Sequence, residues 1–153
     1  MINFALIGAG RIGKIHAKNI IENPKCNLIT VYDSNLDNAT NLAKLTNSNV
    51  AESAEEAINN NNINAVFIAS STATHIQYIL LAAEAGKAIL CEKPIDLNIE
   101  KVEKCYEKIK NLNVPIQIGF NRRFDSSHQK LKLSKDQGDI GNLEMIVITS
   151  RDP

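Results

Sequence analysis

What this chain lacks already narrows its class. It carries no net charge, because 17 lysine and arginine residues are matched by 17 aspartate and glutamate residues. Without a basic excess there is no electrostatic footprint for a polyanion, and nucleic acid is not an expected partner. No apolar run approaches the ~20 residues that cross a bilayer, so no membrane partner is expected either. The chain enters directly on a strand pattern from Ile2 to Ile7, without the basic segment and long apolar stretch of a signal peptide. A cytoplasmic location is the expectation. Cysteine is scarce: Cys26, Cys91 and Cys105 are odd in number, widely spaced and without a histidine at ligand spacing. That argues against a disulfide framework and against a zinc site, so no metal is expected. Reduced, mostly buried thiols are expected instead.

What is present is a chain of 153 residues, 44% hydrophobic, enough for one well-packed domain and too short for two large ones. Strand and helix patterns alternate along it. Apolar runs at about 2–8, 27–33, 64–70, 87–91 and 115–120 are separated by helical segments near 11–23, 35–46, 53–60, 73–86 and 98–112, with a short extra strand near 49–51. Such alternation predicts a doubly wound parallel sheet with right-handed crossovers. Ala65 to Ala69 is apolar at successive positions, as a strand covered on both faces should be. In the helix over 73–86, Ile76, Leu80 and Ala83 recur at helical spacing, and Gly86 stands at the site of a left-handed cap. Asp96 or Asn98 can cap the next helix, which would pack through Val102, Cys105, Tyr106 and Ile109. The run Asn59 to Asn62 reads as a helix end and polar turn, without functional meaning.

The pattern changes after Phe120. Arg122-Arg123-Phe124-Asp125 opens a polar helix to about Gln137, Gly138 to Gly141 makes a turn, and Leu143 to Ser150 reads as a strand with no place in the parallel order. This divides the chain into a doubly wound α/β domain over 1–120 and the incomplete start of a second α+β domain over 121–153. A lone strand cannot bury its face, so the tail is expected to stay unpaired or to recruit another copy, which leaves a homo-oligomer open.

The chemistry is concentrated in the first turn. Gly8-Ala9-Gly10-Arg11-Ile12-Gly13 follows an apolar run and precedes a helical pattern, and about twenty residues later Val31-Tyr32 ends in Asp33. That is the arrangement a dinucleotide needs, and it makes 1–120 a dinucleotide-binding Rossmann domain. Gly8 permits the tight strand-to-helix turn, Gly10 lets backbone N–H groups approach the pyrophosphate, and Gly13 lets the helix pack close to its strand. The unpaired N–H groups of the first helical turn, at Arg11 and Ile12, then face the phosphates. Asp33 is placed to accept hydrogen bonds from the adenosine ribose, which favours NAD over NADP because a 2′-phosphate would meet a carboxylate.

Several segments taken together resemble one family: G-A-G-R-I-G with His16 after it, S-S-T-A-T-H at 70–75, A-G-K-A-I-L-C-E-K-P at 85–94, G-F-N-R-R-F-D at 119–125 and I-T-S-R-D-P at 148–153. They resemble the glucose–fructose oxidoreductase and inositol dehydrogenase (Gfo/Idh/MocA) family, the inositol dehydrogenase branch in particular, over the whole chain. The resemblance implies oxidation of a secondary alcohol of a cyclic polyol or sugar, with hydride transfer to NAD. It places the family's catalytic lysine at Lys93, near the substrate hydroxyl and the nicotinamide ribose. Position gives that reading independent support, because ligands bind at the carboxyl ends of parallel strands and a lysine there can favour an alkoxide. The alternative is a solvated lysine at a strand end. Glu92 is either an orienting partner of Lys93 or of the cofactor ribose, or a surface carboxylate. The resemblance further implies a cis Lys93–Pro94 bond that aims the amine into the cleft.

Ser70, Ser71 and Thr72 lie where the family's loop passes the cofactor, and a capping role for Ser71 or Thr72 is compatible with that contact. His75 is balanced between a nicotinamide-side contact and a structural role, while His16 reads as structural. The resemblance makes Arg122 the substrate-side arginine, whose guanidinium could bind polyol oxygens, with Arg123 pairing with Asp125 or another carboxylate. It sets Asp152 near the substrate. The family's D-x-x-x-H acid–base motif has no match, since His16, His75 and His128 do not fit it. Three functions therefore compete: the N-terminal part of an NAD-dependent dehydrogenase, an NAD-binding module without turnover, and a vestigial domain. The last is disfavoured by the retention of Gly8, Gly10, Gly13, Asp33 and Lys93.

Overall fold

A computed structural model describes residues 1–149 and Arg151. Six strands form one parallel sheet: β1 (Ile2–Ile7), β2 (Cys26–Tyr32), β3 (Asn49–Val50), β4 (Ala65–Ile68), β5 (Ala88–Cys91) and β6 (Ile116–Ile118). Their order is β3-β2-β1-β4-β5-β6, with the direction of winding reversing between β1 and β4. The crossovers are α1 (Arg11–Glu22), α2 (Leu36–Thr46), α3 (Ala54–Asn59), α4 (Thr72–Glu84) and α5 (Ile99–Ile109). This is the doubly wound Rossmann arrangement, in which ligands bind beyond the strand ends at the reversal.

Alternation along the central strands feeds two cores. Ala5, Ile7, Val66 and Ile68 point to one face, against Ile58, Ile79 and Ala82. Leu6 and Phe67 point to the other, against Ala17, Ile20 and Leu42. Burying an Ile or Leu side chain stabilises by about 1.5–3 kcal/mol, against about 1 kcal/mol for a helix cap. Packing on the sheet therefore holds these helices, and the caps are free to vary.

In α4 the buried stripe is His75, Ile79, Ala82 and Ala83, one position away from the expected row through Ile76 and Leu80. A buried imidazole is tolerated because its ring N–H has a main-chain acceptor within reach on either side, Pro94 O at 2.8 Å from Nδ1 and Ser70 O at 3.1 Å from Nε2, of which a neutral ring donates to one. Gly86 closes the helix at φ +68°, with Lys87 N–H donating to Ala82 O at 2.9 Å. In α5 only Cys105 and Ile109 are buried, whereas Tyr106 is exposed at the lip of an apolar groove between α5 and β6.

The contacts divide the chain into Met1–Gly119 and Phe120–Pro153. In the second unit, Asn121–Phe124 forms a 3-10 turn and α6 runs over Ser126–Asp136. The Arg122–Asp125 quartet is thus not the opening of the helix: Asp125 is its N-cap, accepting from Ser127 and His128 N–H at 3.0 and 3.1 Å. None of the described residues of this unit is buried. The strand expected from Leu143 to Ser150 does not form over 143–149, where Leu143, Met145, Ile146, Val147 and Ile148 are exposed. The exposed backbone there is open to water, and a single run without a strand neighbour has no face to bury. Ser150 lies outside the described residues.

Candidate cofactor and active site

The loops after β1, β2 and β4 enclose a cavity of about 390 Å³. Gly8, Gly10, Arg11, Ile12, Asp33, Ser70 and Ser71 line it. Gly13 lies beneath rather than in it, and Thr72 does not line it. Gly8 has φ +103°, and a Cβ there would stand 2.5 Å from Ala69 O, so the turn against the β4 loop admits only glycine. A Cβ on Gly13 would stand 1.9 Å from Gly8 O, which shows how closely α1 approaches the turn. Around Gly10 a Cβ would meet nothing within 4 Å: the space there is open and belongs to whatever occupies the cavity.

Helix α1 begins at Gly10 with no side-chain cap, and α4 begins at Ser71 with none either. The first-turn N–H groups of α1 therefore remain available to an anion beside the open space at Gly10. Asp33 closes the cavity by a bond between loops: Oδ2 accepts from Ala9 N–H at 2.6 Å and Oδ1 from Asn35 N–H at 2.8 Å. Each oxygen retains a lone pair for a ribose hydroxyl. The donor set and the open cradle fit a dinucleotide.

Four polar cavity residues escaped the sequence reading: Tyr32, Ser34, Thr74 and Tyr78. Thr74 follows Ser70 by one helical turn and the two hydroxyls share a hydrogen bond of 2.8 Å. Tyr78 is a further turn along α4, so a polar row at i, i+4 was the available signal. Burial pushes the Tyr78 phenol above its ordinary range, reinforced by Tyr32 and by the carboxylates of Glu55 and Asp33.

One strand further along the sheet, β5 ends in Glu92-Lys93-Pro94. The Lys93–Pro94 peptide is cis. Lys93 is exposed, and its amine has no hydrogen-bond or ion-pair partner among the described residues. Glu92 accepts from Lys93 N–H at 3.2 Å and pairs with His16 Nε2 at 2.8 Å. The His16 ring lies on Phe67, with centroids 4.1 Å apart. His75 is 1% exposed, with Nδ1 at 2.8 Å from Pro94 O and Nε2 at 3.1 Å from Ser70 O. Both nitrogens face the main chain, which leaves the ring facing the protein rather than the cavity.

Burial pushes the Cys91 thiol up to about 12, so it stays protonated and inert. In the second unit, Arg122 rather than Arg123 faces Asp125, at 3.8 Å, because the 3-10 turn sets it three residues before the cap. Asp125 also accepts from His128 Nδ1 at 2.9 Å, which holds its carboxyl below the usual range. This pair, three residues apart, is a helix cap. Asp152 lies outside the described residues. No helix among them is long and apolar enough to cross a membrane, and they hold no cluster of metal-ligating side chains.

Comparison with known proteins agrees with this geometry. The chain is 42% identical to an inositol 2-dehydrogenase of Rhizobium meliloti over 99% of its own length and 46% of that protein's. It is 37% identical to a myo-inositol 2-dehydrogenase of Thermotoga maritima, over 99% of this chain and 46% of the relative. Among solved structures, scyllo-inositol dehydrogenase of Lactobacillus casei with bound NAD(H) and scyllo-inositol superimposes with a TM-score of 0.88 at 36% identity, covering 93% of this chain and 43% of that one. The chain thus spans about half the length of the relatives it matches. Residues 2–120 match the model of the Gfo/Idh/MocA oxidoreductase family with its NAD-binding Rossmann fold, and the chain belongs to that family.

Proposed function

We propose that this chain forms the cofactor-binding part of an NAD-dependent dehydrogenase that oxidises a secondary alcohol of a cyclic polyol or sugar, with residues 121–153 opening its substrate domain. One observation carries the reading. Two uncapped helix starts and Asp33 converge on a single cavity, while Lys93, whose amine has no partner among the described residues, follows the next strand, β5. Gly10 and the N–H groups of Arg11 and Ile12 would hold the pyrophosphate, Asp33 the adenosine ribose, and Ser70, Ser71 and Thr74 the loop side. Bound there, NAD supplies a nicotinamide that accepts hydride. Lys93 would hydrogen-bond the substrate hydroxyl and favour its alkoxide electrostatically, while Arg122 and Asp152 would meet substrate oxygens.

Calorimetric titration of both cofactors tests this reading, with tighter binding of NAD expected because Asp33 and Glu55 give the ribose end a negative field. Equal or tighter binding of NADP would overturn the preference. Asp33→Ser is expected to narrow it by up to about 2–3 kcal/mol, the range for a hydrogen bond to a charged group. In a protein of the relatives' length, Lys93→Ala is expected to depress turnover far more than NAD affinity.

A second reading is a binding module without turnover. On that reading the purified chain binds NAD and forms no appreciable NADH from myo-inositol or scyllo-inositol, and substantial NADH formation in a spectrophotometric assay would rule it out.

A further inference from the structure

We propose that His16 and His75 are positioning residues that pin the turn carrying Lys93 from its two flanks. The inference rests on the reading above that Lys93 serves the substrate hydroxyl. A lysine has a long, freely rotating stem, so the protein can direct its amine only by fixing the backbone it springs from. On one flank, Glu92 is clamped. His16 Nε2 sits 2.8 Å from its Oε1, and Lys93 N–H donates to its Oε2 at 3.2 Å. Its carboxylate also packs over Gly119, where an added Cβ would stand 3.2 Å from Oε1 and require Glu92 to shift by a few tenths of an ångström. Phe67 supports the imidazole from below. On the other flank, Pro94 O meets His75 Nδ1 at 2.8 Å, and the same ring reaches Ser70 O at 3.1 Å. The residue between these anchors is left with a free side chain.

Both struts come from the helices that flank the cofactor cavity. His16 is on α1, one turn beyond the glycine-rich start, and His75 is in the first turn of α4. The cavity and the lysine turn are thereby held by the same two rigid elements, so a cofactor seated against the helix starts stands in a fixed relation to the amine. A displacement of 1 Å at a reacting group can cost about a hundredfold in rate, which makes such bracing worth two histidines.

Backbone amide hydrogen exchange on the 153-residue chain tests the proposal, with NADH binding followed in parallel by its fluorescence. His16→Leu keeps an apolar contact on Phe67 and removes the bond to Glu92. It is expected to speed exchange at the Lys93 N–H at least tenfold. The Ala9 N–H, bonded to Asp33, and the thermal midpoint should be unchanged. His16→Gln, which can still donate to Glu92, is expected to restore most of the protection. A role confined to packing would give no such rescue. Lys93 exchange in His16→Leu within twofold of the parent would overturn the proposal. So would an equal loss in His16→Leu and His16→Gln. His75→Gln is expected to loosen the Pro94 side in the same way, and if that variant fails to fold the His16 pair of variants decides alone. Failure of the parent chain to bind NADH would sink the cofactor reading, a result separate from the Lys93 exchange rates.

Discussion

Helices α1 and α4 start at Gly10 and Ser71 without a side-chain cap, whereas α2, α3, α5 and α6 start at Asn35, Ser53, Asn98 and Asp125, each of which accepts first-turn N–H bonds. At α1 the glycine has no side chain to cap with, but at α4 the residue type is not the reason, since Ser71 could cap and does not. The two uncapped starts both border the cavity. A side-chain oxygen there would satisfy the N–H groups that a phosphate otherwise meets, and would add negative character where an anion is to sit. Leaving a cap out costs about 1 kcal/mol, which the buried stripes of α1 and α4 offset several times over. In this fold stability is supplied by the sheet-facing sides of the helices, so that their ends can be given to binding.

The largest expected effect comes from making the uncapped start of α1 collide with its own turn. Gly13→Ala places a Cβ 1.9 Å from Gly8 O, and backbone cannot move aside as a side chain would. A loss of about 3 kcal/mol, the upper part of the range for overpacking, should appear as a lowered denaturant midpoint together with lost NAD binding. Gly10→Ala sharpens the point. Its Cβ meets nothing within 4 Å and its φ is −70°, so stability is expected to hold while NAD affinity falls at least tenfold. Equal destabilisation by the two changes would show that the space at Gly10 is not reserved for a ligand.

That prediction rests on the part of the site most legible in the sequence. Glycines forced by φ or by close approach leave a spacing that can be read without coordinates, and Asp33 is fixed by its place after an apolar run. The doubly wound parallel sheet followed from the alternation of strand and helix patterns, its strand order only from the structure. What stayed hidden depends on partners far along the chain. His75 looks like a polar interruption until Pro94, nineteen residues on, supplies an acceptor. His16 and Glu92 are 76 residues apart, and no local pattern joins them. Tyr78 and Thr74 were hidden differently: their spacing is visible, but a polar row on the side of α4 away from Ile76 and Leu80 looks like an ordinary solvated face. The Leu143–Thr149 segment has strand composition and forms none, because β-propensity expresses itself only against a neighbouring strand.

A smaller effect is expected from ligand itself. At a hundred times its dissociation constant NAD should stabilise the chain by about 2.7 kcal/mol, by mass action on the native state alone. The comparison between helix starts predicts where the change is felt. Amide shifts should move at Arg11, Ile12 and Gly13, and less at the first turn of α4. They should stay still at Glu100 and Lys101, whose N–H groups are already taken by Asn98 at 2.9 and 3.3 Å. Shifts as large at Glu100 as at Ile12 would mean that uncapped ends are not what the cofactor uses.

The smallest effects separate a cap that works from one that only occupies the position. Asn98→Ala removes an oxygen that accepts two N–H groups at the start of α5, and should lower unfolding free energy by about 1 kcal/mol with NAD affinity unchanged. Ser71→Ala sits at the same position of α4 but removes no cap bond. Its cost should stay within about 0.5 kcal/mol, the range for surface changes that touch no specific feature. NAD affinity should respond instead, because Ser71 borders the cavity. Chemical denaturation with and without saturating NAD measures both quantities for each variant. If Ser71→Ala destabilises the unliganded chain as much as Asn98→Ala does, its hydroxyl caps α4 in solution, and the division between helices that serve the fold and helices that serve the ligand narrows to α1 alone.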